Sequence, residues 1–218
     1  MSAVSTKGLD VWLYKADAVP VEVVPTAISL ASPAVVTVAA TTGITAGDVV
    51  HVNTVGFPEL DNKSFVVGEV DGVGFTFELI GSNTTGSTGV LSATPTITVY
   101  PSSDRVKICL SQMDIAAPSA NDISTNTFCE DGSVAGRSTP GTIALAGYLD
   151  ENDTGLDELT LADEDGLPRY FEVVLPGTLG YLIGKVTISG FSVTTPLDGA
   201  VGWTATGTQN EKIKWVHT

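Results

Sequence analysis

Histidine is the side chain most often used for acid–base chemistry near neutral pH, and this sequence contains two, His51 and His217. A serine or cysteine nucleophile needs a neighbouring base, and His217 is the penultimate residue, so His51 is the one candidate. It stands in the strand-like run 49–52, where a histidine that faces the surface is more common than a catalytic one. The sequence contains no G-x-S-x-G, H-E-x-x-H or P-loop pattern. These observations predict that the protein is not an enzyme.

Carboxylates are the next candidates, because a dense run of acids can hold a cation. The run 150–155, Asp-Glu-Asn-Asp-Thr-Gly, is similar to the opening of a calcium-binding loop. Counting from Asp150, however, the twelfth position is Leu161, where such a loop needs a bidentate glutamate. A solvated helix start is therefore the favoured interpretation, with weak calcium binding as the alternative. We predict no metal site and no cofactor.

The overall charge bears on which partners the protein can bind. Ten Lys and Arg against 25 Asp and Glu give a formal net charge of −15, which repels nucleic-acid phosphates and anionic lipid. No stretch of 18 uninterrupted apolar residues occurs, so we expect neither a signal peptide nor a membrane span. A passage through which DNA slides should not bind it, and an acidic surface suits such a passage.

Alternating and β-branched runs recur along the whole chain, separated by turn signals such as Asp71-Gly72 and Pro176-Gly177. One segment, 154–164, instead places leucines near helical spacing. Asp153 or Thr154 can cap its start, and Gly166 can end it. The pattern predicts an all-β fold with one short flanking helix.

The segment 28–93 differs from the rest of the chain in its composition and its density of turns. It has strand-like runs, many turn signals and Lys63 as its single basic residue. It predicts a small inserted β-barrel at 26–94, within a discontinuous host domain of residues 1–25 and 95–218. The alternative is a single larger sandwich. In the host portion, 111–141 lacks sustained periodicity and predicts a long loop with a function of its own.

Several short sequence segments of the host domain resemble those of a known family. They are 4–8 (Val-Ser-Thr-Lys-Gly), 127–141 (Thr-Phe-Cys-Glu-Asp-Gly and onward) and 198–207 (Asp-Gly-Ala-Val-Gly-Trp and onward). Together they resemble the major tail tube protein of long-tailed (siphovirus-type) bacteriophages. The insert, through the phrases 59–67 and 75–79, is similar to the small β-barrel called the first catalytic cysteine half-domain of ubiquitin-activating enzymes. Residues 28–93 contain no cysteine, so the second resemblance implies a fold and not an activity.

The first resemblance implies a β-sandwich tail-tube core, with six copies closing into a ring and rings stacking into a tube that carries DNA. The implied partners are further copies of the chain, other phage tail proteins at the tube ends, and a tape-measure protein and passing DNA held without tight binding. The implied location is the virion tail, made and assembled in the bacterial host cytoplasm. The alternative is a virion decoration protein or host-binding adhesin that uses the small barrel.

The resemblance also implies assembly contacts in the N-terminal arm and the long loop, which we expect to be mobile before assembly and ordered by stacking. The expected ring-stacking or inter-subunit contacts are Thr6, Lys7, Thr127, Phe128, Glu130, Asp131 and Arg137. The candidate acids for the channel wall are Asp104, Asp114, Asp150 and Asp153.

Overall fold

A computed structural model of the chain describes residues 9–41, 43–124, 133–150, 152–177, 179–197 and 199–217, with the side chains of 120–124 and 133–137 left out. This part is built mainly from strands, and the prediction of an all-β fold with one short helix is confirmed. The strands are β1 (Asp10–Tyr14), β2 (Val21–Val23), β3 (Pro25–Ile28), β4 (Ala34–Val38), β5 (Val49–Thr54), β6 (Lys63–Asp71), β7 (Thr76–Ile80), β8 (Thr96–Tyr100), β9 (Arg105–Lys107), β10 (Gln112–Ala116), β11 (Ser119–Ser124), β12 (Ser133–Thr139), β13 (Thr142–Tyr148), β14 (Arg169–Val174), β15 (Tyr181–Thr194), β16 (Gly202–Gln209) and β17 (Lys214–Val216). The α-helix of this part is α1 (Thr154–Asp165).

The chain divides into two compact units. The first unit comprises residues 1–107, 172–183 and 214–218, and the second comprises 108–171 and 184–213. The predicted insert at 26–94 lies wholly within the first unit. Its folding as a separate domain stays a prediction. Among the described residues, no helix is long and apolar enough to cross a membrane.

The first unit contains a seven-stranded antiparallel sheet in the order β2-β8-β5-β6-β7-β4-β3. The alternation of the sequence explains its core: along β4, Ala34, Val36 and Val38 are buried while the residues between them are half-exposed. Phe65 and Phe77 are buried among these valines, and burying each such ring contributes about 1.5–3 kcal/mol. The sheet includes β2 and β8, so its strand pairing extends past 26–94 on both sides.

The second unit contains, in this order, the antiparallel strands β10, β13 and β16 and the part of β15 from residue 184 onward. In β13 the buried residues Ile143 and Leu145 alternate with exposed ones, as a half-buried strand requires. The helix α1 begins after Asp153, whose carboxylate accepts a hydrogen bond from the backbone N–H of Gly155, and it ends at Gly166 in the left-handed conformation. Of the two caps that the sequence offers, Asp153 is the one used, and the predicted stop at Gly166 is confirmed.

The structure differs from the sequence prediction in the segment 111–141. Three strands, β10, β11 and β12, stand where we predicted a long loop without regular structure. Their serine, aspartate and asparagine residues have low β-propensity and give no sustained alternation. Pairing with a neighbouring strand satisfies the backbone hydrogen bonds of such a segment whatever its side chains are, so the strands form where local preference did not indicate them.

Candidate functional site

The strands β11 and β12 form a separate two-stranded sheet in the segment that sequence analysis singled out for assembly. They pair in antiparallel register from Ser119 opposite Thr139 to Ser124 opposite Ser133. We call residues 119–124 and 133–139 the hairpin arm. In the described part of the chain, neither strand pairs with any third strand. Each strand is about 20 Å long at ~3.3 Å per residue.

The hairpin arm has the physical properties of a segment that needs a partner. A two-stranded ribbon alone is at best marginally stable in water, because it has too little apolar surface to bury. Its outer edges also present backbone N–H and C=O groups that can pair with another chain. The arm can therefore gain stability by adding to a sheet of a neighbouring molecule.

The base of the arm is fixed by the buried side chain of Gln209. The ladder between β10 and β13 ends at Ala116 opposite Thr142, and Pro118 and Pro140 separate it from the ladder of the arm. Gln209 donates from its backbone N–H to the carbonyl of Gly141 and from Nε2 to the carbonyl of Ala116, both at 2.9 Å. These bonds hold both strands of the hairpin where the prolines interrupt the pairing.

The strand that leads into the arm, β10, lies at the end of the strand order in the second unit. It pairs with β13, and no other described strand pairs with its second edge. Gln112, Asp114 and Ala116 are exposed along it. An open strand edge without protection is a template for pairing between molecules, so β10 and the hairpin arm form one continuous candidate assembly surface.

A cavity of about 1040 Å³ lies in the same unit. Its lining includes the exposed side chains of Tyr148 and Leu149, which are 62% and 41% exposed, and the acidic residues Asp150 and Asp157. Large apolar groups at a surface are common at protein–protein contacts. The cavity therefore adds an apolar contact area to the second unit.

The four candidate channel acids occupy different environments. Asp114 and Asp150 are exposed in the second unit, whereas Asp104, in the first unit, accepts a hydrogen bond from the backbone N–H of Val19 at 3.3 Å. Asp153 is only 9% exposed, and its carboxylate is engaged by Gly155 at the start of α1. This geometry gives Asp153 a structural role as a helix cap. The exposure of any of these acids to a channel stays a prediction.

Six of the seven predicted contact residues lie outside the described part of the chain. Thr6, Lys7, Thr127, Phe128, Glu130 and Asp131 lie outside the described residues. Arg137 lies in β12, next to the irregularity where the register of the hairpin arm shifts, and its side chain also lies outside the description. The contact role of all seven residues stays a prediction.

A buried charged pair in the first unit was not anticipated from the sequence. Arg105 and Glu172, 67 positions apart, form an ion pair in which the Glu172 side chain is fully buried. The Arg105 guanidinium also lies 4.7 Å from the centre of the Trp12 ring. Burial raises the pKa of Glu172, and the positive charge of Arg105 offsets part of that rise. No local pattern indicates this pair, because its members come together only through strand packing.

The candidate base of the sequence analysis, His51, lies in a contact between two strands. His51 lies opposite Ser64 on the neighbouring strand, with 3.1 Å between its Nδ1 and the serine hydroxyl. That contact is a cross-strand pair of the kind that stabilises sheets. Within the described part of the chain, no group of three or more His, Cys, Asp or Glu side chains is arranged to hold a metal ion.

About half of the chain is similar to parts of solved structures. No protein-family model matches the chain, and no curated protein matches it. Among solved structures, the tail of an empty gene transfer agent particle, from helical refinement with C6 symmetry, is similar at 17% identity and a TM-score of 0.42, covering 53% of this chain and 88% of that one. The virion of a native gene transfer agent particle is similar at 17% identity and a TM-score of 0.39, covering 51% and 85%.

Proposed function

We propose that this chain is a non-enzymatic structural subunit of a bacteriophage tail tube. Six copies close into a ring, and rings stack into a tube whose channel delivers DNA. The observation that carries the proposal is the hairpin arm, a two-stranded ribbon whose strands pair with no third strand in the described part of the chain. The phrases at 4–8, 127–141 and 198–207, which resemble tail tube proteins, point to the same role.

Ring formation can pair the open strand edges of the second unit, which belong to β10 and the hairpin arm. Closing a ring between identical subunits pairs the edges that would otherwise promote uncontrolled association. In this proposal β10 pairs across the ring, and the hairpin arm adds to a sheet of an adjacent subunit. Each copy contacts one neighbour through one edge and the other neighbour through a different surface, and such head-to-tail contacts are what a closed ring requires.

The charge of the chain is consistent with a channel for DNA. With a net charge of −15, a wall built from many copies repels phosphate and lets DNA slide. Of the candidate acids, we propose Asp114 and Asp150 for this wall, because both are exposed. The partners in this proposal are further copies, other phage tail proteins at the tube ends, a tape-measure protein and passing DNA in the virion tail.

Negative-stain electron microscopy of the purified chain tests the proposal directly. We expect six-fold rings or tubes. A matched variant lacks 119–139 and joins Pro118 to Pro140 through a short glycine linker. It should keep its circular dichroism spectrum and thermal midpoint but form no stacked rings. Native protein that stays monomeric or trimeric at every concentration would contradict the proposal, and so would a folded deletion variant that still forms tubes.

A second experiment addresses the proposed insert at 26–94, which we place outside the ring wall. Val73 is 90% exposed in the turn between β6 and β7, and exposed turns tolerate insertions. A small folded tag inserted after Val73 should leave ring formation intact and appear as six peripheral densities. Loss of rings by a stable tagged protein would place this part of the first unit in the wall.

A further inference from the structure

The first unit contains a cavity of about 580 Å³ beside the C-terminal strand β17. Its volume falls within the range of small-molecule sites, about 300–1,000 Å³. It is formed where the residues just before β4, the end of β7 and the turn after β7 meet β17. The lining residues are Ser32, Pro33, Glu78, Ile80, Gly81, Ser82, Asn83, Trp215 and His217.

The strand β17 is held in place by its buried middle residue, Val216. This side chain packs against Val66 and Ile183, and two glycines allow the close approach. A Cβ on Gly81 would lie 2.7 Å from Val216 Cγ1, and one on Gly180 would lie 1.9 Å from the Val216 carbonyl oxygen. Both glycines also have positive φ. The position of β17 is therefore well defined.

Because side chains alternate along a strand, Trp215 and His217 lie on the face opposite Val216. Their rings are stacked, with centres 4.7 Å apart and planes 25° from parallel. The indole N–H of Trp215 donates to the carbonyl of Leu179 at 2.7 Å, which fixes the ring. Trp215 is nonetheless 50% exposed. The pair forms a flat, partly exposed aromatic surface at the cavity.

Polar groups surround this aromatic surface. No described residue donates a hydrogen bond to the Glu78 carboxylate, so its oxygens are available as acceptors. The Asn83 carbonyl oxygen accepts from the backbone N–H of Thr85 at 3.0 Å, which orients the amide so that its NH2 group can donate. The Ser32 hydroxyl lies in the same lining. The cavity thus combines a flat aromatic face with one donor, the Asn83 amide, and two acceptors, the Glu78 carboxylate and the Ser32 hydroxyl.

We propose that this cavity binds a neutral sugar ring. A pyranose has one face of C–H groups, whose positive edges are attracted to the negative face of an aromatic ring. Its hydroxyl groups are directed around the rim of the ring, where a carboxylate such as Glu78 can accept two of them and an amide such as that of Asn83 can donate. The aromatic surface therefore fits the C–H face of such a ligand, and the polar residues fit its hydroxyl groups.

Two other ligand classes fit less well. A quaternary ammonium group is bound by several aromatic faces that surround it, whereas Trp215 and His217 are stacked on each other and offer a flat surface. A sugar phosphate or nucleotide would bring negative charge to Glu78 in a chain of net charge −15, at a cost in free energy. The site therefore favours a neutral saccharide, whatever the assembly state of the chain.

Saturation-transfer NMR on the full chain tests this proposal with maltose, cellobiose, lactose and N,N′-diacetylchitobiose as probes, and with choline and glucose 6-phosphate for comparison. We expect at least one neutral disaccharide to bind. Trp215→Ala should weaken that binding by about tenfold or more, because the stacking surface is lost. Glu78→Gln should also weaken it, while Trp215→Phe should keep part of it.

The matched control is Phe75→Ala, which removes an aromatic side chain that is 44% exposed and lies outside the cavity lining. It should leave sugar binding unchanged. Thermal midpoints of all variants show whether β17 stays in place, and Glu78→Gln keeps the test valid if Trp215→Ala unfolds. The proposal is overturned if no neutral disaccharide binds, if choline or glucose 6-phosphate binds in preference, or if binding survives both cavity substitutions.

Discussion

The side-chain amide of Gln209 donates a hydrogen bond from Nε2 to the backbone carbonyl of Ala116 at 2.9 Å, across 93 positions of sequence. Gln209 is only 6% exposed. Together with its backbone bond to Gly141, this contact fixes the base of the hairpin arm. The proposed assembly surface is therefore oriented by a residue that lies outside it.

Substituting Gln209 by leucine should destabilise the second unit by about 1 kcal/mol, because the carbonyl of Ala116 loses its donor. Urea unfolding measures the change. Amide hydrogen exchange in the hairpin arm should also become faster, since its base is no longer held. The control Gln112→Leu, at an exposed site on β10, should change stability by less than ~0.5 kcal/mol. Equal effects from the two substitutions would contradict the role given to Gln209.

The acids Asp150 and Asp153 are close in sequence but should respond differently to substitution. Asp153→Ala removes the cap of α1 and should cost about 1 kcal/mol of stability. Asp150→Ala removes an exposed carboxylate and should cost much less. Thermal unfolding of both variants measures the difference. If Asp153→Ala proves neutral, its carboxylate is not needed as a cap.

Glu172 should make the protein less stable as the pH rises. Its pKa is raised in the folded state, chiefly by burial, so the folded chain binds this proton more tightly than the unfolded chain does. The resulting stabilisation is fully present below the unfolded value of 4.5 and is lost as the pH rises through the folded-state pKa. Glu172→Gln should remove this contribution from the pH profile of the free energy of unfolding.

Glu22→Gln provides the control for that experiment, because Glu22 is exposed on β2 in the same unit. Its pH profile should follow that of the unsubstituted chain. A Glu172→Gln profile that is indistinguishable from the native one would show that the buried pair with Arg105 does not shift the titration.

Lys214 should have the opposite dependence on pH. Burial lowers its pKa to about 8, with a smaller contribution from the charge of Lys63. The unfolded chain then holds this proton up to about 10.5, so stability should increase as the pH rises from about 8 to about 10.5. Lys214→Met should abolish that increase, measured by urea unfolding across this range.

The matched control for Lys214 is Lys212→Met, at an exposed position two residues earlier. The Lys214 ammonium also lies 3.5 Å from the centre of the Phe65 ring, and the loss of this attraction partly offsets the gain from removing a buried charge. An unchanged slope in Lys214→Met would contradict the proposed titration.

Much of the fold could be predicted because it depends on local sequence. The strand-like run 49–52 lies within β5 (Val49–Thr54). The helix stops at Gly166 as predicted, and it is capped by Asp153, one of the two predicted caps, since capping depends on residues a few positions apart. The strands β11 and β12 were missed because Ser, Asn and Asp disfavour a strand unless a partner supplies backbone hydrogen bonds.

The site could be predicted only in outline. The sequence indicated that 111–141 has a function, because so long a segment without periodicity is uncommon in a compact domain. It did not indicate the aromatic surface of Trp215 and His217, because their exposure depends on how Val216 packs with Val66 and Ile183, residues that are remote in sequence.

By itself, the sequence determined which segments alternate between buried and exposed, where the helix is capped, and how strongly the chain repels other anions. These properties depend on side-chain type and on neighbours within a few residues. Tertiary structure alone decided that Gln209 reaches Ala116, that Arg105 pairs with Glu172, and that Gly81 approaches Val216. Such contacts depend on strand order and register, because a shift of one residue turns every side chain of a strand to its other face.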